Sequence, residues 1–279
     1  MVRQLPKCIW RKAVSASWLA SNEIALDLRT AGTHALVERP GRQRAIVEAC
    51  CSPATAGELR QRFGGTITEL SADWEAQAFA ATKTKPLQIG KRLLVASDAA
   101  AVKPDGTGAL LLIPAGAAFG TGEHATTAMS LRMLERITRK RGTGWSMLDA
   151  GTGSGILALA GRCFGAAKVI AIDNDPLAIS TAHANARRNK IRKVQFTVGD
   201  VTRPQPGKFD IISANLYSEL LAIALPLWRK NLEAGGRLIL SGVMRTQERD
   251  LVRAMRKSGY AADEIRRRGK WIALLCRVC

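Results

Sequence analysis

No stretch of this sequence stays apolar long enough to cross a bilayer. The richest, from Ile211 to Trp228, is interrupted by Ser213, Asn215, Ser218, Glu219 and Pro226. The expectation is therefore a soluble, cytoplasmic chain with no membrane partner. No leader is expected either. Arg3, Lys7, Arg11 and Lys12 precede the first acid, Glu23, but no short apolar core or small-residue cleavage site accompanies them. They fit better as the basic solvent face of a first strand over Cys8–Ser17. Cysteine is sparse: Cys8, Cys50, Cys51, Cys163, Cys276 and Cys279, expected as reduced thiols because nothing secretory accompanies them. Cys276 and Cys279 form a C-x-x-C, yet no second ligand pair stands at zinc spacing and the pair follows strand-like residues. No metal is expected. Internal repeats and low-complexity tracts are absent. Acids are outnumbered, 23 against 42 basic residues, for a net charge of +19. Such a charge favours acidic partners, with RNA or the ribosome surface foremost, but does not identify a substrate.

What is present is enough for a large core. Of 279 residues, 47% are hydrophobic, which fits one large domain plus a smaller one. Short apolar segments at Ile24–Leu28, Ala35–Val37 and Arg44–Ala49, with a helix after Pro53 ending at Gly64-Gly65, suggest a small α+β domain over residues 1–70. A helix beginning at Asp73 and ended by Pro86 reads as the connector, placed at 71–100. From Trp145 onward strands and helices alternate: strands at Ser146–Ala150, Lys168–Ile172, Val194–Val198, Phe209–Ala214 and Arg237–Ser241, with helices at Ile156–Phe164, Pro176–Arg188, Leu216–Leu232 and Thr246–Ser258. Ala262–Arg267 and Trp271–Arg277 form a terminal hairpin. The pattern predicts an α/β domain over 101–279, with a mostly parallel sheet covered on both faces.

The strongest local signal is Asp149-Ala-Gly151-Thr152-Gly153-Ser-Gly155, between the first of these strands and its helix. Glycines permit a tight turn and close approach to a ligand, and the helix start offers open amides. The dinucleotide fingerprint does not fit: its third glycine falls on Ile156 in one register and Ala158 in the other. The run resembles instead the Asp-x-Gly-x-Gly-x-Gly loop of S-adenosylmethionine enzymes. The next strand ends at Asp173, positioned to accept ribose hydroxyls, while Asp175 before Pro176 suits a helix cap. Asp200, after the third strand, is a candidate neighbour of an adenine amino group or a plain turn residue. The fourth strand ends in Ala214-Asn215-Leu216-Tyr217, where substrate should meet cofactor. Asn215 offers both a carbonyl acceptor and an amide donor. Upstream, Phe119-Gly-Thr-Gly-Glu-His124-Ala-Thr126-Thr127 precedes a helix, which Thr126 or Thr127 is expected to cap while reaching the cofactor. His124 invites a general-base role, but a lone histidine is weak ground, and a structural or binding role is favoured.

Taken together, Phe119–Thr127, Asp149–Gly155, Ala171–Asp175 and Ala214-Asn215-Leu216 resemble the PrmA family, methyltransferases of large-subunit ribosomal protein L-eleven. The resemblance covers Trp74 to the C-terminus, including Lys85-Pro-Leu-Gln-Ile-Gly-Lys-Arg-Leu-Leu, and the segment before Trp74 matches poorly. It implies a seven-stranded Rossmann-like class I methyltransferase domain behind a small ferredoxin-like substrate domain. It further implies a protein lysine N-methyltransferase that uses S-adenosyl-L-methionine to modify lysine side chains or an N-terminal amine. Carried over position by position, the resemblance implies Thr127, Gly151, Asp173 and Asn215 as cofactor contacts; the loop residues Thr152, Gly153 and Gly155 and the turn acid Asp200 complete the expected cofactor-binding set, with Asn215 also the catalytic candidate. A ribosomal protein is the expected substrate, a monomer the expected state, and RNA or ribosome contact a further expectation from charge. Two alternatives stay open: an RNA or DNA methyltransferase, or a lysine methyltransferase acting on a different protein. Against the first, Leu216-Tyr217-Ser218 follows Asn215 where nucleic-acid amino-methylating relatives carry Asn-Pro-Pro-Tyr.

Overall fold

The computed structural model describes residues 8–15, 17–19, 21–22, 25–26, 34–38, 45–70, 85–102, 108–114 and 124–279. The chain divides into two compact units, Met1–Ala81 and Thr82–Cys279. The expected connector helix at 73–84 and the run Phe119–Glu123 lie outside the described residues.

The smaller unit holds β1 (Cys8–Val14), β2 (His34–Glu38), β3 (Ala45–Cys51), helix α1 (Pro53–Phe63) and β4 (Thr66–Glu69). Its sheet order is β2-β3-β1-β4, and every neighbouring pair is antiparallel. Residues 17–19, 21–22 and 25–26, between β1 and β2, are helical. The chain order β-α-β-β-α-β gives the ferredoxin-like arrangement. Of the apolar stretch Ile24–Leu28, Ala25 and Leu26 are described, and both are helical. Leu26 is fully buried there in one core with Trp10, Val47, Leu59 and Phe63. Helix α1 starts where the Ser52 hydroxyl accepts the Thr55 amide at 3.2 Å and Pro53 takes the first turn. The Trp10 indole donates to the Gly64 carbonyl at 2.8 Å, which ties the helix end to β1.

The larger unit opens with a three-stranded sheet of β5 (Leu87–Ile89), β6 (Leu93–Ala96) and β7 (Ala109–Leu112). Residues 87–96 fall within the expected connector, yet Ile89, Leu93 and Val95 lie buried in this unit's core. Helix α2 (Ala125–Thr138) follows, then β8 (Ser146–Ala150), α3 (Ile156–Cys163), β9 (Lys168–Asp173), α4 (Pro176–Arg188), β10 (Val194–Val198), β11 (Phe209–Asn215), α5 (Ser218–Trp228), β12 (Leu232–Met244), α6 (Glu248–Lys257), β13 (Tyr260–Arg268) and β14 (Trp271–Val278). The last eleven strands and helices of this run, from β8 onward, match the expected alternation. Helix α5 ends four residues short of expectation because Asn231 is used elsewhere. Its side chain donates to the Gln205 and Gly207 carbonyls at 2.7 and 2.6 Å, and β12 begins immediately after it.

The main sheet has seven strands in the order β10-β9-β8-β11-β12-β14-β13. The first five are parallel, and β14 runs antiparallel to both its neighbours. This is the Rossmann-like class I methyltransferase fold. Two apolar cores cover the faces. One joins Leu134, Met133, Leu159 and Phe164 to the sheet; the other joins Trp228, Leu225, Phe209 and Tyr260. Strand order reverses between β8 and β11: β9 and β10 are added on one side, β11 and β12 on the other. Such a switch point opens a crevice at the carboxyl ends of the strands. Among the described residues, no helix is long and apolar enough to cross a membrane.

Candidate active site

A cavity of about 480 Å³ lies at that crevice, a size suited to a nucleotide-like ligand. Strand register explains its walls. Ala150 pairs with Ile172, Ala214 with Ala150, and Asn215 with Ser241, so the glycine loop, Asp173, Asn215 and Gly242 all emerge at one edge. Because β14 is antiparallel, its first residue, Trp271, reaches the same edge opposite Met244.

The loop after β8 is held from beneath by Asp149, which is fully buried. Its carboxylate accepts the Ser213 hydroxyl at 2.5 Å and the Thr152 hydroxyl at 2.6 Å. Burial lifts this carboxyl to about 6, and the two hydroxyl donors limit the rise. The loop's own amides turn inward. Those of Gly151 and Thr152 both donate to the Ile172 carbonyl, at 2.8 and 2.9 Å. The Gly153 amide donates to Asp173 at 2.8 Å. The glycines therefore serve close approach more than amide donation. Gly151 has φ +73°, and a Cβ there would lie 2.3 Å from the Leu216 side chain.

Gly151, Gly153, Asp173, Asp200 and Asn215, five of the residues named from sequence, line the cavity. Thr152 and Gly155 do not. Thr152 is spent on Asp149, and Gly155 opens α3 against Ala182. Thr127 sits behind the wall, buried, and accepts the Asn215 amide at 3.4 Å. The buried Asn215 Oδ1 has no hydrogen-bond partner among the described residues. Asp173 uses its second oxygen to accept the Asp175 amide at 3.0 Å, and Asp175 caps α4 through the Leu177 amide at 2.9 Å, as expected. Asp200 accepts the Thr202 hydroxyl and amide, at 2.6 and 2.8 Å, which hold its carboxyl below the ordinary range. It therefore closes a turn and also faces the cavity.

The cap of α2 is His124, not either threonine. Thr126 and Thr127 lie inside the first turn, and no side chain caps the helix. His124 Nδ1 sits 2.7 Å from the Thr126 hydroxyl, and its ring meets Trp271 edge-on at 4.8 Å. Burial, then the nearby Lys270 charge, lower its pKa, so the ring is held neutral. Tyr217 borders the cavity with 73% of its surface exposed. Sequence reasoning did not single out Trp271 or Gly242 as wall residues. Only the antiparallel placement of β14 and the closeness of Gly242 to Leu216 reveal them. Gly242 has φ +89°, and a Cβ there would fall 2.4 Å from the Leu216 carbonyl.

Comparison with known proteins follows the same outline. The chain is 37% identical over 195 residues to the ribosomal protein L11 methyltransferase of Pelotomaculum thermopropionicum, covering 70% of this chain and 62% of that protein. It is 34% identical over 216 residues to the protein of that name from Chloroflexus aurantiacus, covering 68% and 65%. The chain thus spans less than two thirds of the length of these relatives. The crystal structure of a ribosomal protein L11 methylase from Lactobacillus delbrueckii subsp. bulgaricus superposes with a TM-score of 0.61 at 29% identity, covering 70% of this chain and 99% of that one. The model of the family described as ribosomal protein L11 methyltransferase (PrmA) matches residues 48–278, from β3 through the antiparallel closing strand, and the chain belongs to that family.

Proposed function

We propose that this chain is a protein N-methyltransferase that moves methyl groups from S-adenosyl-L-methionine to lysine or N-terminal amines of a large-subunit ribosomal protein of the L11 type. The observation that carries the reading is the buried Asn215 Oδ1, an acceptor without a hydrogen-bond partner among the described residues, at the wall where substrate would meet cofactor. The residues fit an adenosyl ligand: a side-chain-free loop at Gly151 and Gly153, and an acid at the end of β9. Asp173 binds the ribose, Asp200 faces the base, and Gly151 and Gly153 allow close contact. Thr127 acts through Asn215, while Thr152 and Gly155 hold the loop's shape.

When bound, the cofactor supplies an electrophilic methyl on a sulfonium sulfur, open to in-line attack by an amine. The residues of the chain position and desolvate that amine. Asn215 Oδ1 accepts an amine hydrogen and so aims the nitrogen lone pair. A lysine amine must first lose a proton, and its ordinary pKa is about 10.4. Burial against Trp271 and Leu220 lowers that value, and the proton leaves to water. His124, held neutral, lines this side without being required as the base. One copy of the chain carries all the cavity-lining residues, which supports action as a monomer. We assign substrate recognition to residues 1–70 and methyl transfer to the larger unit, whose core takes in residues 87–96 of the stretch expected as connector, with the reaction in the cytoplasm.

The test is incubation of the protein with labelled cofactor and ribosomes from a strain lacking it, followed by location of the label. Label on lysine or an N-terminal amine of the L11-type protein is the expected result. Label confined to RNA defeats the protein-substrate reading in favour of a nucleic-acid methyltransferase.

A further inference from the structure

A strip of arginines runs along one flank of the larger unit toward the cavity mouth. On β13, Glu264, Arg266 and Arg268 alternate with Ile265 and Arg267 and so share one face. On α2, Arg132 and Arg136 stand four residues apart and share a face. The two faces meet: Arg136 pairs with Glu264, and the same acid accepts Arg266 at 2.5 Å. Arg132 lies within the fields of Arg266 and Arg268, which together with its partial burial lower its pKa. Arg136 and Arg266 thus share one glutamate, and neither Arg132 nor Arg268 beside them makes an ion pair among the described residues. The strip ends at the cavity. Arg268 pairs in register with Trp271, and Lys270 lies 5.6 Å over the Trp271 ring.

Gathering like charges costs energy unless an anion meets them, and nothing in the enzymatic reading needs them. We propose that this strip docks the phosphate backbone of single-stranded RNA beside the cavity mouth. Arginine forks match phosphate oxygens in a bidentate way that lysine does not. A net charge of +19 draws a polyanion from a distance. The exposed Tyr217 ring at the mouth offers a base a stacking face. The choice of RNA over DNA rests on the ribosomal substrate proposed above; the strip itself does not.

The test is fluorescence anisotropy of a labelled 20-nucleotide RNA with the full chain, from 50 to 200 mM salt. Single-strand contacts contribute about 0.7 each to the log–log salt slope. The double variant Arg132→Ala/Arg268→Ala is expected to flatten the slope by about 1.4 and to weaken binding by about tenfold. Arg187→Ala/Arg188→Ala, exposed on α4 near the opposite sheet edge, is expected to change neither. Unchanged cofactor affinity by calorimetry certifies the fold, and the exposed Arg268→Gln alone serves if the double variant does not fold. Equal losses from both double variants overturn the proposal, because they mean a diffuse charge effect. So does tighter binding of DNA than RNA, or equal displacement by polyglutamate of matched charge, which would point to an acidic protein partner. The assay involves no methyl transfer, so its failure leaves the proposed reaction standing, and failure of that reaction leaves the binding result readable.

Discussion

Asp173 and Gly153 are joined by a 2.8 Å hydrogen bond from the glycine amide to a carboxylate oxygen, which fixes the loop after β8 to the end of β9. The acid thus shapes the pocket before any ligand arrives. Replacing Asp173 by alanine removes both a ligand contact and this brace. Calorimetry is expected to show cofactor affinity reduced by at least about tenfold, with stability lower by about 1 kcal/mol from the freed amides. Affinity equal to wild type would contradict the ribose assignment.

Gly151 and Gly242 both press on Leu216, but through different atoms. At Gly151 an added methyl meets the movable leucine side chain; at Gly242 it meets the leucine backbone. Both positions also impose a left-handed backbone, which costs an alanine about 1–2 kcal/mol. Gly242→Ala is therefore expected to lower the unfolding midpoint more than Gly151→Ala, although only Gly151 belongs to the recognisable motif. The reverse order in a thermal melt would show that the Leu216 backbone yields more easily than its side chain.

Asn215→Ala separates binding from reaction. Cofactor affinity is expected to change by less than about threefold, while kcat falls by about a hundredfold, because positioning of the amine is lost. A change confined to cofactor affinity, with kcat intact, would move Asn215 from substrate to cofactor.

Asp149 makes stability depend on pH. Burial raises its folded pKa from 3.8 to about 6, so between those values the unfolded chain has released a proton that the folded one retains. Its contribution is fully present below pH 3.8 and is lost as pH rises through about 6. The loss amounts to about 3 kcal/mol at about 1.4 kcal/mol per pH unit. Urea unfolding of wild type and Asp149→Asn across pH 4 to 7 is expected to show the wild type losing ground to the variant over that window. A constant difference would mean that the carboxyl is charged throughout.

Much of this was legible in the sequence because it depended on local chemistry. The β8–Gly loop–α3 unit, the acid ending β9 and the Asp175-Pro176 helix start each declare themselves within a few residues. So did the alternation that builds a parallel sheet. What sequence did not reveal depends on contacts far apart along the chain. Thr152 looked like a ligand contact, but Asp149 beneath the loop claims its hydroxyl. The amides of Gly151 and Thr152 gave no local sign of a partner, and the Ile172 carbonyl on the next strand takes both. Thr126 and Thr127 looked like helix caps, but the helix begins one turn earlier at His124. Trp271 and Gly242 carried no motif, and only strand order brings them to the wall.

The antiparallel setting of β14 also has a temporal meaning. Trp271 is synthesised after every other residue of the cavity wall, so a nascent chain carries the glycine loop and its acid long before the far wall exists. Tight ligand capture therefore waits for the last hairpin to leave the ribosome and seat itself. Once captured, the ligand in turn favours the seated hairpin by mass action.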